Sequence, residues 1–355
     1  MSNVNHLSNL PQLLIQPHDG QTSRFLVNLG FQSVRAVPQL LYRRICKPQL
    51  ADVFVQLSEQ LSETAQSASR FCITDVPLDS TELLREFLNA QPLNSVTSSV
   101  RHAWFFRLLL RRHLFFKYQP IFQLSSGQIT AYECLARARD ETGNCLSGGQ
   151  LIKAALSTHL TCEFDELARQ ICFESIAAID TQEKFFINIL PNAITRNPQS
   201  LEENLQQAID LGLQPKQIVF ELTEVEVLAQ SEELSEQIAK LRQWGFGIAV
   251  DDLCGCVSVD RYAMELRPDV VKLDRRLVHG CSKYTLKQTL IKSLLDSAHQ
   301  EGILVLAEGL EDMADIEFCR QLGVDFGQGF GLARPEVTLR HQPFPFRKFA
   351  LSKAS

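Results

Sequence analysis

Charged and amide side chains interrupt or end a series of short apolar segments in the last two-thirds of the chain. The segments are AYECLAR, FFINI, VFELTE, IAVDD, VVKLD and VLAEGLE, and their polar residues are Glu133, Asn188, Glu221, Asp251, Asp252, Lys272 and Glu308. Strands of a parallel barrel are buried on both faces, so a charge is tolerated mainly where a strand opens at its C-terminal end. The pattern therefore predicts an acidic ring at the mouth of a barrel, and such rings typically bind hard divalent cations.

Each acidic residue alone has an ordinary explanation, because a single Asp or Glu at a strand end is more often a helix cap or a solvated charge. The adjacent pair Asp251 and Asp252 favours a metal site, since two buried carboxylates repel each other unless a cation or a proton lies between them. The donors are oxygens, which suits Mg²⁺, Mn²⁺ or Ca²⁺ rather than zinc. Their negative charge is enough for two ions about 4 Å apart.

Lys272 lies two residues before Asp274, so strand alternation places both side chains on the same face. Lys272 is either an ordinary lysine paired with a carboxylate at a strand end, or a cation that orients an attacking water and stabilises charge on phosphorus. The spacing alone leaves both interpretations open.

Composition excludes several other classes of protein. The net charge is −6 over 355 residues, without a basic and aromatic run that could follow a nucleic-acid backbone. The ten cysteines are scattered, which favours a reducing cytosol over a disulfide framework. The N-terminus lacks the features of a signal peptide, and the most apolar stretch, residues 104–116, is interrupted by arginines. We therefore expect a cytoplasmic protein without a membrane span.

The chain is long enough for a barrel and a smaller unit. Residues 1–20 are polar and are expected to form a loose lead-in. Residues 21–99 alternate short apolar runs (RFLVNLGF, DVFVQL, RFCITDV) with helices, which predicts a small α/β domain with residues 91–99 as the linker. Residues 100–350 alternate helices with strand-like runs, and about eight strands favour a closed barrel of βα units over an open sheet.

The order of the motifs YQPI, ECLAR, INIL, ELTE, DD, KLD, AEGLE and DFGQGFGLARP resembles the EAL-domain cyclic di-GMP phosphodiesterases over residues 115–335. The resemblance implies a modified TIM-like (β/α)8 barrel with one antiparallel strand, two Mg²⁺ or Mn²⁺ ions at its mouth, and hydrolysis of cyclic di-GMP (c-di-GMP) to the linear dinucleotide pGpG. It also implies a homodimer formed through the barrel.

The resemblance also implies roles for individual residues. Metal ligands would be Glu133, Asn188, Glu221, Asp251 and Glu308, with Asp252 at the second ion. Lys272 would position the attacking water, so that Lys272, Glu133 and Asp252 form the catalytic group. The dinucleotide would contact Gln119, Leu135, Arg137 and Gln328, and supporting positions would be Glu224, Asp274 and Glu311.

Two segments depart from the family pattern. The signature reads ECL rather than EAL, and alternation predicts that Cys134 points away from Glu133. The loop after Asp252 reads DDLCGCVSVD where relatives have a segment like DDFGTGYSSL, so Cys254 and Cys256 replace glycines. If those glycines have positive φ, a cysteine there costs about 1 kcal/mol or more and re-routes the loop. The two thiols are either loop packing or an incomplete redox or metal-thiolate site.

Two functions from different classes follow. The first is a c-di-GMP phosphodiesterase that is either active or only weakly active because of the altered loop. The second is a degenerate EAL domain that acts as a c-di-GMP receptor or a regulator of a protein partner without turnover. The N-terminal domain would sense a signal, mediate assembly or bind a protein partner; a barrel that only supports this domain is a third possibility.

Overall fold

The computed structural model describes residues 11–140, 142–179, 181–190, 195, 198–222, 232–253 and 266–346. Glu224, Cys254 and Cys256 lie outside the described residues, as does the side chain of Asp252. The strands are β1 (Gln12–Gln16), β2 (Gln32–Val34), β3 (Val37–Arg44), β4 (Arg70–Thr74), β5 (Gln91–Pro92), β6 (Leu114–Gln123), β7 (Ile129–Arg139), β8 (Cys145–Leu146), β9 (Lys184–Ile189), β10 (Ile218–Leu222), β11 (Gly247–Leu253), β12 (Val270–Leu273), β13 (Leu304–Ala307) and β14 (Phe326–Gly327).

The helices lie between these strands, and several follow strands of the barrel directly. They span Gly20–Asn28, Lys47–Gln60, Glu63–Ala68, Glu82–Leu88, Asn94–Arg101, Ala103–Arg111, Gly148–Thr158, Thr161–Ala177, Pro198–Asp210, Glu232–Gln243, Arg275–Val278, Thr285–Gln300 and Met313–Leu322, with a 3-10 turn at Pro215–Gln217. In the described residues, no helix is both long and apolar enough to cross a bilayer.

The chain divides into two compact units. One comprises Met1–Arg107 and Lys153–His159, and the other comprises Leu108–Ile152 and Leu160–Ser355. The division after Arg107 lies later in the chain than the expected boundary after residue 99.

The first unit is an antiparallel sheet with helices against it, which agrees with a small α/β domain. Its strand order is β2-β3-β1-β4-β5. The connection from β1 through a helix to the β2–β3 hairpin, and through further helices to β4, is a split βαβ arrangement. Alternate residues of β1 enter two cores: Leu13 and Ile15 pack into one, and Leu14 packs into the other.

The expectation of a loose lead-in up to residue 20 is wrong for its described part. Residues Gln12–Gln16 form β1, the middle strand of the sheet, and Leu13, Leu14 and Ile15 are fully buried. A middle strand covered on both faces has no polar alternation, so a short apolar run between prolines gave no strand signal.

The expected linker at residues 91–99 is also wrong. This segment contains β5 and the start of helix Asn94–Arg101, in which Thr97 is fully buried and donates its hydroxyl to Gln66 Oε1 at 2.7 Å. Its Ser, Thr and Asn residues have weak helix propensity, which tertiary packing of Val96 and Val100 overrides.

Two of the three apolar runs expected between helices are themselves helical. The first five residues of RFLVNLGF lie in helix Gly20–Asn28, which Asp19 caps by accepting from Thr22 N at 2.7 Å, and DVFVQL belongs to helix Lys47–Gln60. The third run, RFCITDV, contains β4. Short apolar runs do not distinguish a strand from a buried helix segment.

The second unit is a closed barrel of eight described strands. The order β6-β14-β13-β12-β11-β10-β9-β7 is closed by pairing of β6 with β7, and β8 adds to β7. Strand β6 is antiparallel to both neighbours, and the other pairs in the ring are parallel. The predicted TIM-like barrel with one antiparallel strand is confirmed.

A buried carboxylate joins two segments on the outside of the barrel. Asp315, in the first turn of helix Met313–Leu322, accepts from Gly280 N at 2.7 Å, Ser282 N at 2.9 Å and Ser282 Oγ at 2.6 Å. We expect Asp315→Ala to lower the free energy of unfolding by about 3 kcal/mol, because it leaves buried donors without an acceptor. Urea unfolding measures the loss.

Asp312→Ala is the matched control for this substitution. Asp312 precedes the same helix, is exposed and makes no side-chain capping bond. The control should change the free energy of unfolding by less than about 0.5 kcal/mol. Equal losses in the two variants would contradict the role assigned to Asp315.

Candidate active site at the mouth of the barrel

The inside of the barrel is built in layers of inward-facing side chains. One apolar layer receives a residue from each strand of the ring and consists of Ile121, Ala131, Phe186, Val219, Ala249, Val270, Leu306 and Phe326. Because side chains alternate with a period of two, the next inward residue toward the mouth lies two positions away on each strand. These residues are Gln119, Glu133, Asn188, Glu221, Asp251, Lys272, Glu308 and Gln328.

This polar layer, called the mouth ring below, therefore takes one polar side chain from each strand or from the residue directly after it, as at Glu308 after β13 and Gln328 after β14. Its expected metal ligands and its lysine come from six adjacent strands or their ends, and Gln119 and Gln328 complete the circle. The convergence that the sequence predicted is present, and it also brings in the two glutamines that were expected to contact substrate.

Lys272 is the positively charged residue of the mouth ring and is surrounded by its carboxylates. It is 1% exposed and contacts Glu221 Oε1 directly. Its Nζ also lies 2.6 Å from Glu308 Oε1, 3.7 Å from Asp251 Oδ1 and 3.8 Å from Glu133 Oε2. Lys272 is thus an ion-paired lysine, as one interpretation predicted, and the same position places its ammonium among the expected metal ligands.

The electrostatics of the ring follow from burial and crowding. Burial raises the pKa of Glu221 well above its usual value, against the attraction of Lys272, and the neighbouring carboxylates raise it further. Burial opposes the charged form of Lys272, but four surrounding carboxylates outweigh it and raise the lysine pKa. One ammonium does not compensate four carboxylates, so the ring has room for further positive charge.

Glu133 is oriented by amide groups on both sides. Gln328 Nε2 donates to Glu133 Oε2, and Asn188 Nδ2 lies 3.5 Å from Glu133 Oε1. Gln119 is buried, with its Nε2 3.5 Å from the carbonyl of Ala333. Gln328, at the end of β14, and Asn188, on β9, therefore hold the signature carboxylate from the two sides of β7.

The donors fit a hard divalent ion. One carboxylate oxygen from each of Glu221, Asp251 and Glu308 can be chosen so that all lie within 4.8 Å of one another. Among the described residues, the buried atoms Glu221 Oε2 and Gln328 Oε1 have no hydrogen-bond donor. Buried oxygens without donors are costly unless a cation or water satisfies them, which is the arrangement expected at a magnesium or manganese site.

Asp252 lies on β11 at a shift of register. The register between β11 and β12 shifts between Val250 and Leu253, as at a β-bulge. The assignment of Asp252 to a second ion stays a prediction.

The other two residues expected to bind the dinucleotide, Leu135 and Arg137, lie beside the ring. Leu135 and Arg137 line a cavity of about 380 Å³, together with Asn188 and the helix residues Asp165 and Arg169. The cavity is next to the expected metal ligands and is large enough for part of a nucleotide. Cys134 is buried and near Cys172 of helix Thr161–Ala177, and its thiol pKa is raised by burial and by this neighbour, so it packs on the outer side of the strand.

Two of the expected supporting residues, Asp274 and Glu311, make different contacts outside the mouth ring. Asp274 caps helix Arg275–Val278 by accepting from Arg276 N, so it braces the turn after β12 and does not share the ion pairs of Lys272. Glu311 forms an ion pair with Arg275 at 3.0 Å, which links this turn to the loop after β13. The expected role of Glu224 falls on a position outside the described residues.

One buried cluster near the site was missed. Asp165 Oδ1 accepts from Leu190 N at 3.0 Å, directly after β9, and Asp165 also pairs with Arg169, whose Nε lies 3.2 Å from Asn204 Oδ1. These bonds fix the end of the strand that carries Asn188. Charges four residues apart among the apolar residues of a helix were the available signal in the sequence.

Without divalent ions, the free energy of unfolding of this protein is expected to fall as the pH rises from about 5 to about 8. Burial raises the pKa of Glu308 to about 7 from 4.5, with Asp251 and Glu133 adding to it against Lys272. A carboxyl whose pKa is raised on folding stabilises the fold fully below its unfolded pKa, and this contribution is lost as pH rises through the folded value.

Urea unfolding in chelator across this pH range measures the effect. Glu308→Gln removes one titrating group and should make the decline shallower, while Glu221, whose pKa burial also raises, still contributes to it. A wild-type profile without the decline, or a variant with the same decline, would contradict this assignment.

The part of the chain that contains the mouth ring matches a known protein family. A family model described as EAL domain matches residues 102–335. The chain belongs to the EAL domain family. The predicted resemblance is thus confirmed, and the mouth ring lies within the matched residues.

The EAL domain has similar curated relatives. One is the probable cyclic di-GMP phosphodiesterase PdeN of Escherichia coli (strain K12), 27% identical over 230 residues, covering 63% of this chain and 44% of that protein. Another is the blue light- and temperature-regulated antirepressor BluF of the same organism, 24% identical over 227 residues, covering 62% of this chain and 54% of that protein. The chain thus spans about half the length of these relatives.

A solved structure agrees with the fold. The PaMucR phosphodiesterase in complex with c-di-GMP superimposes with a TM-score of 0.59 and 22% identity, covering 66% of this chain and 97% of that chain. At this identity the likeness establishes the EAL fold of the second unit.

Proposed function

We propose that the EAL domain of this chain is a c-di-GMP phosphodiesterase that uses two Mg²⁺ or Mn²⁺ ions and releases pGpG. The observation that carries the proposal is the convergence of Glu133, Asn188, Glu221, Asp251 and Glu308 at one mouth, with Lys272 among them. Family membership and the similarity to PdeN, a probable cyclic di-GMP phosphodiesterase, support c-di-GMP as the substrate.

The ring residues would hold the metal ions as follows. Glu133, Asn188, Glu221, Asp251 and Glu308 supply oxygen ligands for the first ion, and Asp252 serves the second. When bound, the ions lower the pKa of water and neutralise charge on the phosphate oxygens. Gln328 and Asn188 keep Glu133 directed into the ring, and Asp165 fixes the strand end that bears Asn188.

The chain's own groups then act on the substrate. Gln119, Leu135, Arg137 and Gln328 would contact the dinucleotide and hold one phosphodiester in line with the attacking water. Lys272 donates a hydrogen bond to that water and stabilises the negative charge that grows on the phosphoryl oxygens. A new bond forms between the water oxygen and phosphorus as the bond to O3′ breaks, and O3′ takes the proton that the water loses, leaving linear pGpG.

The ion pairs of Lys272 also support a second function, in which the domain acts without turnover. Lys272 already pairs with Glu221 and Glu308, which are two of the three residues whose carboxylate oxygens lie within 4.8 Å of one another. A ring balanced in part by its own lysine can stay folded without metal, which suits a c-di-GMP receptor or a regulator of a protein partner without turnover. The name of the antirepressor BluF shows that a relative has a regulatory role.

Product analysis separates the two functions. The full chain is incubated with c-di-GMP and Mg²⁺ or Mn²⁺, pGpG is quantified by chromatography, and binding is measured on the same preparation. Release of pGpG that stops in chelator supports the phosphodiesterase. Saturable binding of c-di-GMP without product supports the receptor.

Assembly and cellular context belong to the same proposal. We infer a cytoplasmic protein that forms a homodimer through the barrel, and an N-terminal unit that receives a signal or binds a protein partner. Light scattering of the full chain tests the dimer, and a mass equal to one chain at all concentrations would exclude it.

A further inference from the structure

The barrel has a second opening, at the end opposite the mouth ring. A cavity of about 420 Å³ lies there and receives a lining residue from each strand of the ring. The cavity is within the range of ligand-binding sites in proteins. None of the mouth-ring residues lines it, so it is separate from the proposed active site.

The cavity exists because one layer of the barrel interior is incomplete. A TIM-type barrel is normally filled by three layers of side chains. Below the apolar layer, the next inward positions include Gly247, which has no side chain, and Leu304, which is 41% exposed. Lys184, also in this layer, reaches solvent rather than filling the centre. The third layer therefore leaves an open space at the barrel axis.

The floor of this space is apolar. It is formed by the underside of the apolar layer, including Phe186, Val219, Val270 and Phe326. These side chains have no polar atoms, so they favour a hydrocarbon or aromatic group over ordered water.

The rim carries unbalanced positive charge. Lys184 and Lys216 both line the cavity and are exposed, and neither has an ion-pair partner among the residues that the structure describes. Among the described residues that line the cavity, the one carboxylate is Asp269, which accepts from Ile248 N at 2.7 Å and lies 3.8 Å from Arg242. The rim therefore presents two free ammonium groups, while the carboxylate of Asp269 is already engaged with Ile248 N and Arg242.

We propose that this cavity is a binding site for a small carboxylate with an apolar body. The apolar part occupies the space left by the missing layer, and the carboxylate meets Lys184 and Lys216. Because Val219 and Val270 stand two residues before Glu221 and Lys272 on their strands, a single layer of side chains separates the ligand from the mouth ring.

Calorimetric titration of the full chain with decanoate, below its micellar concentration, tests the proposal. We expect one decanoate per chain, and weaker binding of decanol, which lacks the charge. The double variant Lys184→Met, Lys216→Met should weaken decanoate about tenfold and leave decanol unchanged.

The matched control is Lys283→Met, Lys292→Met, which removes two exposed lysines that do not line the cavity. This control should bind decanoate as the wild type does. No saturable binding, equal affinity for decanoate and decanol, or equal loss in both double variants would overturn the proposal. Circular dichroism of each variant establishes that the fold is retained.

Discussion

Replacing Glu133 with alanine is expected to abolish hydrolysis of c-di-GMP, with a loss of at least about 10³-fold in kcat. Glu133 stands on β7, inside the ring, where Gln328 and Asn188 hold both of its oxygens. The substitution removes an expected metal ligand but leaves Leu135, Arg137 and their cavity in place. Binding of c-di-GMP should therefore survive in part. Kinetics of pGpG release and calorimetry with c-di-GMP measure the two effects separately.

Glu174→Ala is the control for this experiment. Glu174 is 45% exposed and pairs with Arg112 on the surface of the second unit. Its removal should leave hydrolysis within about twofold of the wild type, because exposed ion pairs contribute little. Retained hydrolysis in Glu133→Ala would remove the assignment of the mouth ring as the active site.

Replacing Lys272 with methionine is expected to destabilise the metal-free protein by about 3–5 kcal/mol, since it leaves buried carboxylates without their cation. Lys272 and Glu221 are each 1% exposed, so water replaces the lost partner poorly. Mg²⁺ or Mn²⁺ should recover much of the loss by supplying positive charge to the same oxygens. Hydrolysis should remain low even in metal, because the group that orients the attacking water is missing.

Urea unfolding in chelator and in Mn²⁺ measures this prediction, with Lys240→Met as the matched control. Lys240 pairs with Glu202, and both side chains are about half exposed. The control should lose less than about 1 kcal/mol and show no greater gain from Mn²⁺ than the wild type. A Lys272 variant that behaves like the control would show that the lysine does not balance the ring.

The barrel was predictable from the sequence because its signals are local. Long helices alternate with Val- and Ile-rich runs, and β7 contains the whole of the predicted segment AYECLAR. The mouth ring was predictable for the same reason, since parallel strands bring their C-terminal ends together. Gln119 and Gln328 needed the family resemblance, because an isolated glutamine has no distinctive spacing.

Other features depend on contacts between distant residues. Strand β1 is defined by partners at residues 41–44 and 70–74, which the run LLIQ alone does not indicate. The pairing of Lys272 with Glu221 joins residues 51 positions apart, and the bond from Leu190 to Asp165 joins residues 25 positions apart. The opening opposite the ring arises from a layer that spans separate strands, so no segment of sequence encodes it by itself.

Hydrolysis in H₂¹⁸O is the most direct test of the assignment of phosphodiesterase activity to the mouth ring. The wild-type chain with c-di-GMP and Mg²⁺ or Mn²⁺ should yield pGpG that carries one ¹⁸O on its terminal phosphate, and Glu133→Ala should yield none. Mass spectrometry of the product measures both. Intact c-di-GMP after prolonged incubation of the wild type at high protein concentration would contradict the proposed activity.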